Sequence, residues 1–399
     1  MTPVGSAGRK GFRCRPLVAL ALFALAACGG GGGDDAVTNP PPRKTYTYTA
    51  PADLADGWAV GHLQDHGADM QVIQSMMDAV VNEDIPGVDA ISAVRNNVLI
   101  LNEDLRTRLD EYDGWVSNTR LDRHVMHSTT KSFVSALTGI AIDQGYIRDV
   151  DVLYYDLFTY GGYDNWSLAK AGMTLEDALT MRFGFAWDEW SVPYGQPGNS
   201  LWDLFQAHVD VSKGLLDQRV VRTPGTMFVY NTAGTISLGQ ALEHVIGVPL
   251  ENFADQYLFA PLQIQDVDWT ETPTGLPNGG SGLFLTTREM LKFGQLYLDG
   301  GVWHGERVIS EEWVIRSTQP HADYSDAITS GYGYQWWIDR FLVGGELIES
   351  YSTRGFGGQN IFVVPSRRLG VAVTGRNYGT PGADAPYRLM QDFLLRAMD

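Results

Sequence analysis

Strand-like runs stand near both ends of this chain, with a long helix-patterned stretch between them. Residues 91–95 and 98–101 flank Asn96-Asn97, a pair that tolerates the positive φ of a tight two-residue turn, so the spacing predicts a hairpin. A second hairpin is predicted over residues 361–364 and 370–374, joined through Pro365 and Ser366. Strands so distant in sequence share one sheet only if the chain between them is an insertion. That insertion reads as helical: residues 133–144, 174–181 and 234–245 carry apolar residues at helical spacing, punctuated by Gly and Pro loops. Helices are also predicted over 70–81, over 287–298 and over 385–398, where Leu389, Phe393 and Leu394 can cover the sheet. The expected class is α/β, with 68–127 and 279–399 forming a sheet domain and 128–278 a mostly helical one.

Length and composition fit this division. A single core stops growing at about 250 to 300 residues, so 399 residues call for two lobes sharing a cleft. With 44% hydrophobic and 19% charged residues the chain is too apolar to be disordered. Its formal charge of -18 repels phosphate backbones, and nucleic acid is not expected as a partner. The two cysteines, Cys14 and Cys28, both precede the body, so no disulfide is expected within it. Arg9, Lys10, Arg13 and Arg15 lead into an eleven-residue apolar run, 17–27, which is shorter than the roughly 20 residues of a spanning helix and reads as a secretory signal. Leu25-Ala26-Ala27-Cys28 at its end resembles the lipobox of bacterial lipoproteins. The resemblance implies removal of residues 1–27 and a lipid on Cys28. Gly29 to Gly33, Asp34, Asp35 and the proline run to Pro42 cannot pack, so residues 28–45 are expected to be a flexible tether. Gly29 directly after Cys28 fits outer-membrane sorting in that pattern. The expected location is the cell envelope, lipid-anchored to the outer membrane and facing the periplasm.

One tetrapeptide carries chemistry. Ser128-Thr129-Thr130-Lys131 places a hydroxyl and an amine three residues apart, hence on one face of a helix. The residues that follow, Phe133 to Gln144, are apolar on nearly every side, so that helix should be buried. A lysine at the start of a buried helix loses solvation and feels the positive end of the helix dipole; both disfavour its charged form. A neutral amine can take the serine proton and turn a weak nucleophile into a competent one. The Ser-x-x-Lys pattern occurs twice, and its other copy, Ser167-Leu168-Ala169-Lys170, lies in a Gly- and Asn-flanked stretch with no apolar helix after it. That copy is expected to be surface decoration.

The context of Ser128 is a family resemblance. His127 to Phe133, Thr174 to Met181, Pro224-Gly225-Thr226-Met227-Phe228-Val229-Tyr230-Asn231-Thr232, Gly279 to Arg288 and Arg354-Gly355-Phe356-Gly357-Gly358-Gln359 follow the order seen in the serine β-lactamase-like superfamily. The chain is most similar to the class C β-lactamase-related hydrolases, which include 6-aminohexanoate-dimer hydrolase and family VIII esterases. The resemblance implies a β-lactamase/transpeptidase-like fold: an antiparallel sheet flanked by helices, an inserted all-helical domain, and the active serine at their junction. It implies that Tyr230 relays protons with Lys131, and a phenol that titrates near 10 would need the Lys131 charge to work as a phenolate. It places the oxyanion hole at the backbone amides of Ser128 and Phe356. Two departures stand out. Thr232 occupies the position of the asparagine of the family's Tyr-x-Asn motif, and Thr353-Arg354-Gly355 replaces Lys-Thr-Gly. Asn231 and Arg354 are candidate substrate contacts, and Gly355, Gly357 and Gly358 would let substrate run close to the backbone. Trp187, Trp190, Tyr332, Tyr334, Trp336 and Trp337 are candidates for the pocket wall, Trp187 and Trp336 foremost.

Other chemistries fit less well. His62 and His66 have helical spacing but lack the glutamate of a zinc protease, so neither metal nor cofactor is expected. His124 and His127 flank Ser128, yet the chain has no Gly-x-Ser-x-Gly elbow; His127 is expected to pack beside the site. The expected function is an envelope-anchored serine hydrolase acting on a small ester or amide through an acyl-enzyme on Ser128. A β-lactamase or D-alanyl-D-alanine carboxypeptidase, and a ligand-binding lipoprotein without turnover, are the alternatives.

Overall fold

The computed structural model describes residues 42–398 apart from Asp266 and Pro381. The signal segment, Cys28 and most of the tether lie outside the described residues. Eight strands build one sheet. Three come early: β1 (Ala59–Val60), β2 (Val88–Arg95) and β3 (Val98–Asp104). Five come late: β4 (Thr329–Tyr332), β5 (Trp337–Val343), β6 (Glu346–Gly355), β7 (Gln359–Val364) and β8 (Leu369–Gly375). Their spatial order is β1-β3-β2-β8-β7-β6-β5-β4, so the two ends of the chain meet where β2 pairs antiparallel with β8, Ala93 opposite Val371. The early hairpin turns on Asn96 and Asn97 at φ +51° and +66°, as the sequence predicts.

The sheet is mixed and not wholly antiparallel: β1 runs parallel to β3, with Ala59 opposite Val98. This edge strand lies upstream of residue 68, and two residues are too few to show a period of two. All seven residues of β8 are buried because both faces of the sheet are covered. On one face α1 (Met70–Val81) packs with the C-terminal segment, where Ile73, Met76 and Met77 meet Leu389, Leu394 and Phe362. That segment is not a continuous α-helix, since Leu389–Leu394 forms a π-helical turn. Two further helices matter for the other face. α2 (Thr130–Asp143) is buried from Thr130 to Ala141, and α3 (Thr232–Ile246) packs beside it in the helical lobe. α4 (Thr287–Leu298) covers the sheet itself, its start fixed by a reciprocal Thr286–Glu289 capping box. Phe133 of α2 stacks on Phe293 of α4, with ring centroids 3.9 Å apart.

A small second sheet stitches the two regions together. Arg123–Val125 pairs with Leu283–Thr286, which also pairs with Asp268–Trp269. The Met126 amide donates to the Leu283 carbonyl at 2.7 Å. The chain is therefore held on both sides just before it turns into α2.

Burial of α2 depends on a small residue at its middle. A Cβ on Gly139 would stand 2.4 Å from Cγ of the buried Trp313. Gly139→Val is expected to cost about 1–3 kcal/mol through overpacking. Urea unfolding should show a lower midpoint with an unchanged slope. An unchanged midpoint would contradict this packing.

Candidate active site

His127 takes a left-handed backbone conformation, φ +44°, and the chain then winds through a 3-10 turn, His127–Thr129, into α2. Ser128 sits in that turn and Lys131 one turn later, which brings Lys131 Nζ to 2.8 Å from Ser128 Oγ. A second bond, 2.7 Å to the Gly280 carbonyl, fixes the amine from the far side. Lys131 is 2% exposed. Burial pulls its pKa down to about 7, with Glu189 opposing the shift. At neutral pH a large share of the amine is therefore uncharged and able to accept the serine proton.

Tyr230 closes the triangle. Lys131 Nζ lies 5.0 Å from the centre of its ring, and the phenol hydrogen-bonds with the side chains of Ser128 and Thr232. The expected phenolate is not what the site favours. Burial first, and then Glu189, hold the phenol well above its usual range. An amine that titrates near 7 does not carry the full charge that would lower it. Tyr230 is therefore a neutral phenol, and the Lys131 amine is the neighbour that loses its proton near neutral pH.

Glu189 is absent from the sequence-based candidates and is central in the structure. It is 3% exposed, accepts the Thr232 amide at 2.7 Å and the Thr232 hydroxyl, and takes Trp187 Nε1 at 3.1 Å and the Tyr194 hydroxyl at 2.9 Å. The signal that could have revealed it is an acidic residue between two tryptophans in Trp187-Asp188-Glu189-Trp190. A carboxylate flanked by large apolar rings needs donors if it is buried. Thr232, the departure from Tyr-x-Asn, is one of them.

The end of β6 is clamped to the turn that carries Ser128. Thr129 Oγ1 lies 3.0 Å from Thr353 Oγ1 and donates to the Gln359 carbonyl at 2.7 Å. A Cβ on Gly355 would stand 2.3 Å from the Met126 carbonyl, so only glycine lets the two backbones close. Phe356 follows directly, and the Ser128 amide lies in the first turn of its helix, where N–H groups lack intrahelical partners.

The candidate substrate-contact residues have partners within the protein. Gly355 makes room for Met126. A Cβ on Gly357, at φ +92°, would stand 2.3 Å from the Tyr378 ring, while Gly358, at φ +100°, has a backbone conformation that favours glycine. Asn231 is buried as the N-cap of α3, accepting the Gly234 amide at 2.8 Å. Arg354 is neutralised by Asp339 at 2.6 Å and Asp326 at 3.4 Å, and its guanidinium lies 4.5 Å from the Trp337 ring centre. Trp336 is a fully buried core residue packed on Phe293 and Tyr297, and Trp187 serves Glu189. Trp190 is the tryptophan half open to solvent beside the site, stacked on Tyr230 at 5.1 Å. Tyr332 and Trp337 are buried with Tyr230, while Tyr334 packs on Trp313.

The histidines and the second tetrapeptide do other work. His127 is enclosed by Tyr112, Trp115, Phe356 and Tyr378, and burial lowers its pKa to about 3, so it stays neutral. His62 accepts the Gln64 amide at a helix start. Ser167 caps a short helix, but Lys170 is not surface decoration: it is buried, donating at 2.7 Å to the carbonyls of Asp164 and of Leu216. The second serine and its lysine amine each have a structural partner.

Residues 71–394 match the profile of the family described as Beta-lactamase. The chain belongs to the β-lactamase family. Among relatives of known function, 6-aminohexanoate-dimer hydrolase of Paenarthrobacter ureafaciens is 27% identical over 269 residues, 61% of this chain. The match spans 64% of that relative, less than two thirds of its length. Among solved structures, a β-lactamase/D-alanine carboxypeptidase from Yersinia pestis aligns with a TM-score of 0.61 at 15% identity, covering 83% of this chain and 100% of the other. A family VIII carboxylesterase aligns at 0.60 and 16% identity, covering 82% and 98%. The fold is β-lactamase/transpeptidase-like.

The Lys131 environment sets a pH dependence. If Lys131 is the base for Ser128, its neutral form is the reactive one, and the rate of acylation at Ser128 should rise as pH passes through about 7 and then level off. Labelling rates with an activated ester between pH 5 and 10 test this. A rate still climbing at pH 10 would mean an ordinary, solvated lysine.

Proposed function

We propose that this β-lactamase-family hydrolase cleaves a small ester or amide through an acyl-enzyme on Ser128. Neutral Lys131 accepts the Ser128 proton as Oγ attacks the substrate carbonyl carbon. The backbone N–H groups of Ser128 and Phe356 hold the resulting oxyanion; loss of one such donor costs about 3 kcal/mol in comparable sites. Tyr230 passes a proton to the departing oxygen or nitrogen and is reprotonated from Lys131. Water then enters, gives its proton to the amine and releases the acid, restoring Ser128. The reading rests on one observation: an amine 2.8 Å from a hydroxyl, with burial lowering its pKa to about 7.

Support for an ester or amide in preference to a β-lactam comes from the end of β6. Thr353 stands where Lys-Thr-Gly has its lysine, and its hydroxyl is engaged with Thr129 and with the Ile361 amide at 2.9 Å. Arg354, the neighbouring cation, is held by two carboxylates. The relative that cleaves 6-aminohexanoate dimer and the carboxylesterase of like fold agree with this choice. The half-exposed Trp190 beside Tyr230 suits a substrate with an apolar face. The lipobox-like Leu25-Ala26-Ala27-Cys28 supports a lipid anchor on Cys28 and a place at the outer membrane facing the periplasm.

Intact-mass analysis of membrane-derived protein treated with a fluorophosphonate tests both parts. One label is expected, lost in Ser128→Ala and kept in Ser167→Ala, on a chain that lacks residues 1–27 and carries a diacylglyceryl group. An unlabelled native protein would overturn the acyl-enzyme, and an unlipidated mature chain would overturn the anchor.

A further inference from the structure

Acylation leaves a problem that Ser128, Lys131 and Tyr230 do not solve among themselves. Once Lys131 takes the serine proton, an ammonium stands in a site with 2% exposure, and an unpaired buried cation is strongly disfavoured. Its neighbours offer little relief. The Gly280 carbonyl is a dipole, and Tyr230 is a neutral phenol. His127, on the nucleophile turn, is neutral above about pH 3. Tyr194, on the loop after Glu189, is also neutral, because burial and Glu189 raise its phenol. Arg354, on β6, is itself a cation. The buried carboxylate that acts on Lys131 is Glu189.

Four donors fix that carboxylate. The Thr232 amide and hydroxyl hold it from the start of α3, two residues beyond Tyr230, and Trp187 and Tyr194 hold it from its own loop. The Thr232 hydroxyl, donated to Glu189, also lies against the Tyr230 phenol. Ser128, Tyr230, Thr232 and Glu189 thus form a connected polar path through a dry region.

We propose that Glu189 is the positioning and counter-charge residue of the reaction, stabilising the transient Lys131 ammonium while its bonds to Thr232 set the reach of Tyr230. Glu189 does not touch the reacting atoms. Its charge works through Lys131, and its hydrogen bonds work through Thr232. The inference rests on the assignment of Ser128 and Lys131 as nucleophile and base.

The test compares pH–rate profiles for wild type, Glu189→Gln, Glu189→Asp and Tyr194→Phe, using p-nitrophenyl esters and fluorophosphonate labelling. Removing the negative charge makes the ammonium less favourable, so in Glu189→Gln the acidic limb should move to lower pH by about one unit. Its plateau kcat should fall about tenfold or more, with KM nearly unchanged. Glu189→Asp keeps the charge one methylene farther off and should show a smaller shift in the same direction. It carries the test if Glu189→Gln does not fold. Tyr194→Phe removes a hydrogen bond but no charge and should leave the limb in place. An unmoved limb in both Glu189 variants, or an equal shift in Tyr194→Phe, would overturn the proposal. Loss of label in wild type would instead overturn the acyl-enzyme reading on which it rests.

Discussion

The structure turns on the burial of one amine. Lys131 occupies the first turn of a helix with no solvated face over its first three turns, and the proposed activation of Ser128 depends on the water excluded there. A solvated lysine would hold its proton near pH 10 and leave the serine a weak nucleophile. Dryness alone would be costly, since a buried polar group needs a partner in each protonation state. Ser128 Oγ and the Gly280 carbonyl supply partners at 2.8 and 2.7 Å, and Glu189 supplies opposite charge.

The architecture serves that burial. Because β2 and β8 bring the two ends of the chain into one sheet, the inserted helical lobe must leave and return at the sheet's side, and the Ser128 turn stands at the point of departure. The small three-stranded sheet pins the chain before the turn; the Thr129–Thr353 contact and the close Gly355–Met126 approach pin it to β6. The left-handed His127 lies between these fixed points, locked by aromatic rings and not by hydrogen bonds at Nε2. Strain of this kind persists where surrounding packing over-determines it.

Local patterns were legible wherever a single segment carries its own instruction. The turn at Asn96-Asn97, the helices Met70–Val81 and Thr287–Leu298, and the spacing of Ser128 and Lys131 depend on neighbours within a few residues. What escaped depends on contacts between distant segments. β1 owes its existence to β3, and the π turn at Leu389–Leu394 lies within a pattern that reads as an ordinary helix. Asn231 and Arg354 lie beside candidate site residues in sequence, yet helix capping engages the Asn231 side-chain oxygen and two carboxylates pair with the Arg354 guanidinium. Lys170 shows the same limit in reverse: its segment looks exposed, but carbonyls 6 and 46 residues away bury its amine. Glu189 gains its meaning only when the start of α3 folds onto it.

The most direct test of this account is the charge state of one amine. Lysine labelled with 15N at Nζ, assigned to Lys131 by the signal lost in Lys131→Ala, can be titrated by NMR in the full-length protein. The account expects a midpoint near 7, about three units below an ordinary lysine. A midpoint near 10 would show that the amine is charged when the serine must be activated, and the base would have to be sought elsewhere.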